Sequence, residues 1–532
     1  MQPLEAASPA PSDSARRVHW ITLFLLLGAG AAVRFLFLAR KPFWFDECFS
    51  VEVARIGWGN FLHLLWWREA NMSLYYVLLR IWLGLNPYHA QSEFFIRSLS
   101  ATAAVATLPA IYWLGRQLCD RRVALIATAL FAFNAYSVRY AQEARSYALF
   151  LLLTTLSSCF LIAFLRNGGR RYWIGYVVIS ILGVYAHFYA LLLLVAHGLA
   201  LRCFTDTGVS QRPDAQPKTG RSGQLRQAWL TIGLAVFPLL VFVAKTGAGP
   251  IRWIQRPGWR DVFEFYEHLA GGNNWALPVL CTVAGMVALA PIRKQLWTRP
   301  RDWETNWNAC WEVWRSQYLL IWLFFPMGLT VLLSFARPVF LGRYLIFCLP
   351  ALLILVAAGL ARLRPWWWLA AAMTGVLLLC GQGIFFVYGY DFDNERDASG
   401  AATNFILDHA QPGDALIFHI AATRIAYEFF RSALARENTA SPTFTAKLGP
   451  EIVFPYHGTG LDYRDFTGKP TEDLMRAAAH DHPRVWIMLM NNGPADNPDA
   501  TTIMLTKTLS ESSSKMLLWQ FAKVEVRLYS RP

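Results

Sequence analysis

The chain has 532 residues; 55% belong to the apolar set AVILMFWYC, 15% are aromatic and only 16% are charged. A soluble domain carries roughly 25% charged residues, so this composition excludes a disordered chain, a small disulfide scaffold and an ordinary cytosolic enzyme. A net charge of +14 could signal nucleic acid, but the basic residues form short clusters between apolar runs, the pattern of membrane orientation and anchoring, and no nucleic-acid partner is expected.

The predicted fold is a polytopic α-helical membrane protein followed by a small extracytoplasmic α/β domain. A bilayer core of about 30 Å needs about 20 helical residues. Eleven apolar runs meet or approach that length, near 19–39, 98–116, 123–140, 146–165, 173–187, 189–204, 228–246, 274–292, 317–335, 344–361 and 366–388. The first follows Arg16 and Arg17 and contains the small-residue stretch 28–32, as a cleaved leader would. Its apolar character continues through Leu38, too far for a typical leader, so a retained span is expected.

With the N-terminus placed inside, twenty Lys and Arg fall in the inside segments, against fifteen in the longer outside segments. The N-terminus is therefore expected in the cytoplasm and the tail outside. A bacterial inner membrane is the expected location, since the C-terminus shows no retention signal for the endoplasmic reticulum. Of the eight cysteines only Cys48 falls in an outside loop, which argues against an exported disulfide. The sequence has no CxxC or HExxH, and no metal site is expected.

Residues 1–389 form the membrane part and 390–532 the outer domain. In the latter, 401–409 and 423–434 read as helices, and 415–420, 485–490 and 524–529 as strands. The segment 205–227, rich in Gln, Pro, Gly and Ser, reads as a flexible cytoplasmic connector.

Chemistry concentrates at the outer ends of the spans. The first outer loop opens with Lys41-Pro42-Phe43-Trp44-Phe45-Asp46-Glu47-Cys48. Ionisable groups at the membrane boundary are costly and mark function. Partial burial also tunes a carboxylate toward general-base work. Equally, Asp46 would cap a juxtamembrane helix. Next, 71–86 is apolar but short, and is expected to lie along the outer face. Residues 136–147 read YSVRYAQEARSY and crowd Arg139, Glu143 and Arg145 into seven positions. Arginine suits phosphate because its planar fork donates two hydrogen bonds, although snorkelling arginines at helix ends give the same pattern. Further on, His187 lies in GVYAHFY, and Arg343-Tyr344 follow Arg337-Pro338 at another outer turn. The topology puts all of these on one face of the membrane. Two acids and several arginines at a lipid boundary suit a lipid-phosphate substrate, with a carboxylate taking a proton from an acceptor and arginines stabilising a departing phosphate.

In that order, Arg34, Trp44-Phe45-Asp46-Glu47, LYYVLLRIWLGL, Glu93–Arg97, YAQEARSYAL, YAHFYALLL and Arg343-Tyr344 before Pro350 cover about residues 30–360. This pattern resembles the polyprenyl-phosphate-sugar-dependent glycosyltransferases of the GT-C superfamily. Within it the pattern is similar to family 39, which includes protein O-mannosyltransferases and lipid A aminoarabinose transferases. The resemblance implies an inverting transfer from a polyprenyl-phosphate or diphosphate sugar to an envelope acceptor, which is a protein, lipid or glycan. Asp46 would be the general base with Glu47 beside it, and Arg145 and Arg343 would bind the donor phosphate; Arg139, from the same arginine cluster as Arg145, is a further candidate for that role. Glu143, His187, Tyr147 and Tyr344 are the candidate substrate contacts. No metal or other cofactor is implied. The chain departs from the sequences it resembles at Asn71-Met72-Ser73, where they usually carry proline. An alternative reading is a transporter or flippase of a lipid-linked sugar or another anion, but no internal repeat is visible and the charges gather at one surface. A third is an assembly partner whose outer domain binds envelope components.

Overall fold

The computed structural model describes residues 13–86, 92–206, 219–246, 254–272, 274–293, 307–389, 397–438, 449–455, 468–490 and 498–531. The membrane part opens with α1 (Asp13–Phe35). The segment after it, expected as the first outer loop, folds into three short helices, α2 (Phe45–Arg55), α3 (Trp58–Trp67) and α4 (Ser73–Leu85). There follow α5 (Glu93–Leu118), α6 (Arg121–Ala132), α7 (Ala135–Ala141), α8 (Tyr147–Asn167), α9 (Arg170–Ala186), α10 (Ala190–Asp206) and α11 (Thr219–Thr246). The bundle closes with α12 (Trp259–Ala270), α13 (Ala276–Leu289), α14 (Trp307–Ala336), a 3-10 segment (Gly342–Cys348), α15 (Leu349–Leu360) and α16 (Trp366–Gly389).

Each of the eleven expected spans coincides with helical structure. Among the described residues, seven helices are long and apolar enough to cross a membrane, or up to eight if α6 and α7, bent by 58°, count as one broken span. The shorter expected spans are α9 and α10, of 17 residues each, and α13, of 14. As expected, α4 is too short to span. The expected connector at 205–227 lies partly outside the described residues, and α11 reaches back into it as far as Thr219.

The bend between α6 and α7 has a local cause and a remedy from a distant part of the chain. Asn134 caps α7, its side chain accepting from Ser137 N–H at 2.9 Å. That break leaves the carbonyls at the end of α6 short of regular helical donors, Phe131 O taking only a 3.3 Å bond from Asn134 N–H within the backbone. The fully buried Arg34 guanidinium supplies donors instead, to Phe131 O at 2.9 Å, Ala132 O at 3.0 Å and Ser137 Oγ at 2.7 Å. One helix pair approaches so closely that only glycine fits. A Cβ on Gly359 of α15 would lie 1.8 Å from Ala284 O of α13, the small-residue contact that lets helices meet in lipid.

The C-terminal domain, the outer domain of the expected topology, contains α17 (Ser399–His409), β1 (Ala415–Phe418), α18 (Thr423–Asn438), β2 (Glu451–Phe454), α19 (Glu472–Asp481), β3 (Arg484–Met490), α20 (Ala500–Ser512), β4 (Lys515–Phe521) and β5 (Val524–Ser530). Its sheet has the order β2-β1-β3-β5-β4. Strand β1 is parallel to both β2 and β3, and β5 is antiparallel to β3 and β4. Nearly all of β3 is buried, with Trp486 and Met488 in one apolar cluster and Ile487 and Leu489 in another. Such two-sided burial explains its unbroken apolar run. The two helices and three strands read from the sequence are all present.

The outer domain packs onto the membrane part at α2. The Phe43 and Phe429 rings meet edge to face at 5.3 Å, and the Arg55 guanidinium lies 5.7 Å from the Phe429 centroid.

Candidate active site

Helix α2 carries two adjacent acids with opposite environments. Glu47 is fully buried and its carboxylate is saturated. Arg97 Nε and Nη2 each donate to it at 2.7 Å, and Ala144 N–H donates at 2.9 Å. Arg97 in turn donates to Leu38 O at 2.9 Å and Lys41 O at 2.7 Å. A bidentate pair with its remaining donors satisfied can sit in a dry interior.

The neighbouring Asp46 side chain keeps 21% of its exposure. Helical geometry separates the two acids, since successive residues point about 100° apart. Asp46 Oδ2 lies 3.5 Å from Arg145 Nη2 and 3.9 Å from Arg343 Nη1. Arg145 reaches it from the turn between α7 and α8, where Nη1 also donates to Ser50 Oγ at 3.3 Å. Arg343 comes from the 3-10 segment before α15.

Aromatic groups close around this triplet. His187, at the turn between α9 and α10, stacks on Phe150 at 4.9 Å and lies 4.6 Å from Tyr344. Tyr147 lies 6.3 Å from His187 and 6.4 Å from Tyr344, centroid to centroid. His187 Nδ1 accepts from Tyr189 N–H at 3.2 Å, which leaves the proton of the neutral ring on Nε2. Burial, reinforced by Arg145 and Arg343, depresses its pKa to about 3, so the ring is neutral near pH 7.

Among the described residues, several buried polar atoms here find no hydrogen-bond partner: Arg145 Nε, Ser146 Oγ, Tyr147 OH and His187 Nε2. Buried polar groups are ordinarily satisfied. Such a concentration of unused donors beside two guanidiniums is suited to an anion.

The structure thus brings Asp46, Arg145, Arg343, Tyr147, His187 and Tyr344 together. Glu47 adjoins them through the backbone. Arg139 and Glu143, both buried, pair with each other at 3.7 Å. Arg139 also borders a small cavity with Tyr136 and His268.

Sequence reasoning missed Glu69. It lies half-buried between α3 and α4. Burial lifts its carboxyl from an ordinary 4.5 to about 7; Asp46 adds to the rise, while Arg145 and a hydrogen bond from Tyr76 oppose it. An isolated acid after an apolar run gave no signal. The unusual Asn71-Met72-Ser73 beside it is a strut. Met72 adopts φ 67°, Asn71 Oδ1 accepts from Phe188 N–H at 3.1 Å, and Ser73 Oγ donates to Tyr185 O at 3.4 Å. The segment therefore grips the turn that presents His187.

The sequence matches no family model and no curated protein. Its structure resembles that of ArnT from Cupriavidus metallidurans in the apo state, with a TM-score of 0.58 and 13% identity over 96% of this chain and 98% of that one. ArnT bound to undecaprenyl phosphate gives 0.56 and 12% over the same shares. The correspondence covers nearly the whole of both chains, so the chain has the polytopic helical membrane fold of that structure, with the C-terminal sheet domain expected from the sequence.

Proposed function

We propose that this chain is an inverting membrane glycosyltransferase, which moves a sugar from a polyprenyl-phosphate donor to a hydroxyl or similar acceptor on the outer face. The observation that carries the reading is one partly exposed carboxylate, Asp46, held between Arg145 and Arg343 among buried donors with no partner of their own. The fold agrees with it, and one of the two similar ArnT structures holds undecaprenyl phosphate.

In the proposed reaction, the acceptor oxygen attacks the anomeric carbon on the face opposite the phosphate. The bond from that carbon to the phosphate oxygen breaks, and its electron pair leaves with the lipid phosphate. Asp46 takes the acceptor proton, the role of the base carboxylate in inverting glycoside chemistry. Arg145 and Arg343 stabilise the charge growing on the phosphate, with Tyr147 OH and His187 Nε2–H as further donors. Phosphate is a good leaving group, so no strong general acid is required. Glu47 positions Asp46 without touching substrate, and Arg139 with Glu143 supports the turn that carries Arg145. The N-terminus is cytoplasmic and the outer domain extracytoplasmic, as the Lys and Arg distribution favours.

Purified chain in liposomes, given a radiolabelled polyprenyl-phosphate sugar and an envelope extract, should release lipid phosphate in a way that depends on Asp46. Label crossing the bilayer without release would favour a transporter instead.

A further inference from the structure

We propose that the outer domain serves the transfer reaction through Asp397, a positioning residue that fixes the helix carrying Asp46. This inference deepens the transferase reading and rests on it.

Helix α2 starts at Phe45, and the N-cap residue Trp44 makes no side-chain cap bond. The first amides of a helix lack intrahelical acceptors. Here Phe45 N–H donates to Asp397 Oδ2 at 2.8 Å, from a residue 352 positions later in the chain. A carboxylate at a helix N-terminus is favoured by the helix dipole as well as by the hydrogen bond.

Asp397 is itself tied to the outer domain. Its Oδ1 accepts from Ser399 N–H at 3.2 Å and from the Ser399 hydroxyl. The next residue, Ala398, donates its N–H to Ala522 O at 2.9 Å, in the turn between β4 and β5. The carboxylate is thus anchored to the edge of the sheet. The Phe45 side chain packs against the apolar cluster of the same domain.

The residues flanking Asp46 are therefore held by different parts of the molecule. Phe45 is fastened to the outer domain by Asp397, and Glu47 is fastened to the helical bundle by Arg97. The orientation of Asp46 toward Arg145 and Arg343 depends on both anchors. Loss of the outer anchor leaves the arginines in place but frees the first turn of α2. Misplacing a reacting group by about 1 Å costs up to about 100-fold in rate.

The test compares Asp397→Ala and Asp397→Asn with the wild-type full chain in detergent and in liposomes. Hydrogen exchange of a peptide spanning 44–50 is measured first, since it needs no substrate. Exchange at the start of α2 should accelerate in Asp397→Ala and stay near wild type in Asp397→Asn, whose amide oxygen still accepts from Phe45. Transfer is measured next. Asp397→Ala should lose about tenfold or more in kcat with little change in the KM for the lipid donor, and Asp397→Asn should recover most of that loss. Unchanged exchange in the Ala variant overturns the cap, and a change in KM alone overturns the positioning role. A wild-type chain inactive on every polyprenyl-phosphate sugar overturns the transferase reading, and with it Asp397's role in transfer, while the exchange result stands or falls separately.

Discussion

Glu47 and Arg97 are joined by two hydrogen bonds of 2.7 Å in a fully buried pair, while Asp46, one residue earlier, keeps its carboxylate partly open between two arginines. Under the proposed transfer the two acids divide the work: the buried one would hold the loop and the open one would meet substrate. Replacing Asp46 with Asn should therefore leave a folded protein and remove transfer, by about 100-fold or more as expected for a lost general base. Replacing Glu47 with Ala should strand the Arg97 charge and cost about 3–5 kcal/mol. Thermal unfolding in detergent separates the two outcomes, with the midpoint falling for Glu47→Ala alone.

The arginines that flank Asp46 should act on the donor. Arg145→Ala and Arg343→Ala should each weaken binding of the lipid phosphate, with loss of a charge-assisted hydrogen bond worth about 1.5–3 kcal/mol. Binding of undecaprenyl phosphate by each variant checks this. Wild-type affinity in both would remove the phosphate from this site.

His187 is buried and neutral, with a free Nε2–H donor among the tyrosines. His187→Phe keeps a flat ring on Phe150 but removes the donor. It should lower kcat by about tenfold, the order of one neutral hydrogen bond of about 1 kcal/mol strengthened in a dry site. Folded yield should not change. Full activity in this variant would reduce His187 to a packing residue.

Glu69 should give the proposed site a pH dependence. Its carboxyl, lifted to about 7, is protonated in the folded protein between pH 4.5 and 7, where the unfolded chain is largely ionised. Stability attributable to Glu69 should thus fall as pH rises through this window and level off above pH 7. Under the proposed transfer, the new charge above pH 7 would also compete with donor phosphate for Arg145. The donor KM should rise between pH 6 and 8 in the wild type and stay flat in Glu69→Gln; steady-state kinetics across that range decide it.

At the contact of α13 with α15, Gly359→Ala would push a methyl group onto the Ala284 carbonyl. Overpacking of this kind costs about 1–3 kcal/mol. A lower midpoint in thermal unfolding, with an unchanged donor KM in the surviving protein, is the expected result.

Much of this architecture was legible because apolar length is written directly into the chain. The runs that became α5, α8 and α14 are long and continuous. The broken helix at Asn134 was hidden inside one such run, because the residue that repairs it, Arg34, lies a hundred positions away. In the outer domain, β3 and β5 were readable from their apolar residues, whereas β4 alternates poorly and leaves Met516, Leu517 and Leu518 exposed. At the candidate site, Asp46, Arg145 and Arg343 were legible as charges close to the ends of apolar runs. What the sequence could not convey was orientation. Asp46 and Glu47 look equivalent until the turn of α2 sends one toward Arg97 and the other toward Arg145. Glu69 and Asp397 were invisible for the same reason, since each gains its meaning from partners remote in sequence.

The measurement that tests the central claim most directly is release of lipid phosphate by purified protein in liposomes, with a panel of radiolabelled undecaprenyl-phosphate sugars and envelope acceptors. The wild-type chain should release lipid phosphate from at least one donor and label an acceptor with inverted anomeric configuration. Asp46→Asn, folded to the same extent, should release none. Equal release by the two proteins would contradict the assignment of Asp46 as base, and passage of label across the bilayer without release would contradict a transferase altogether.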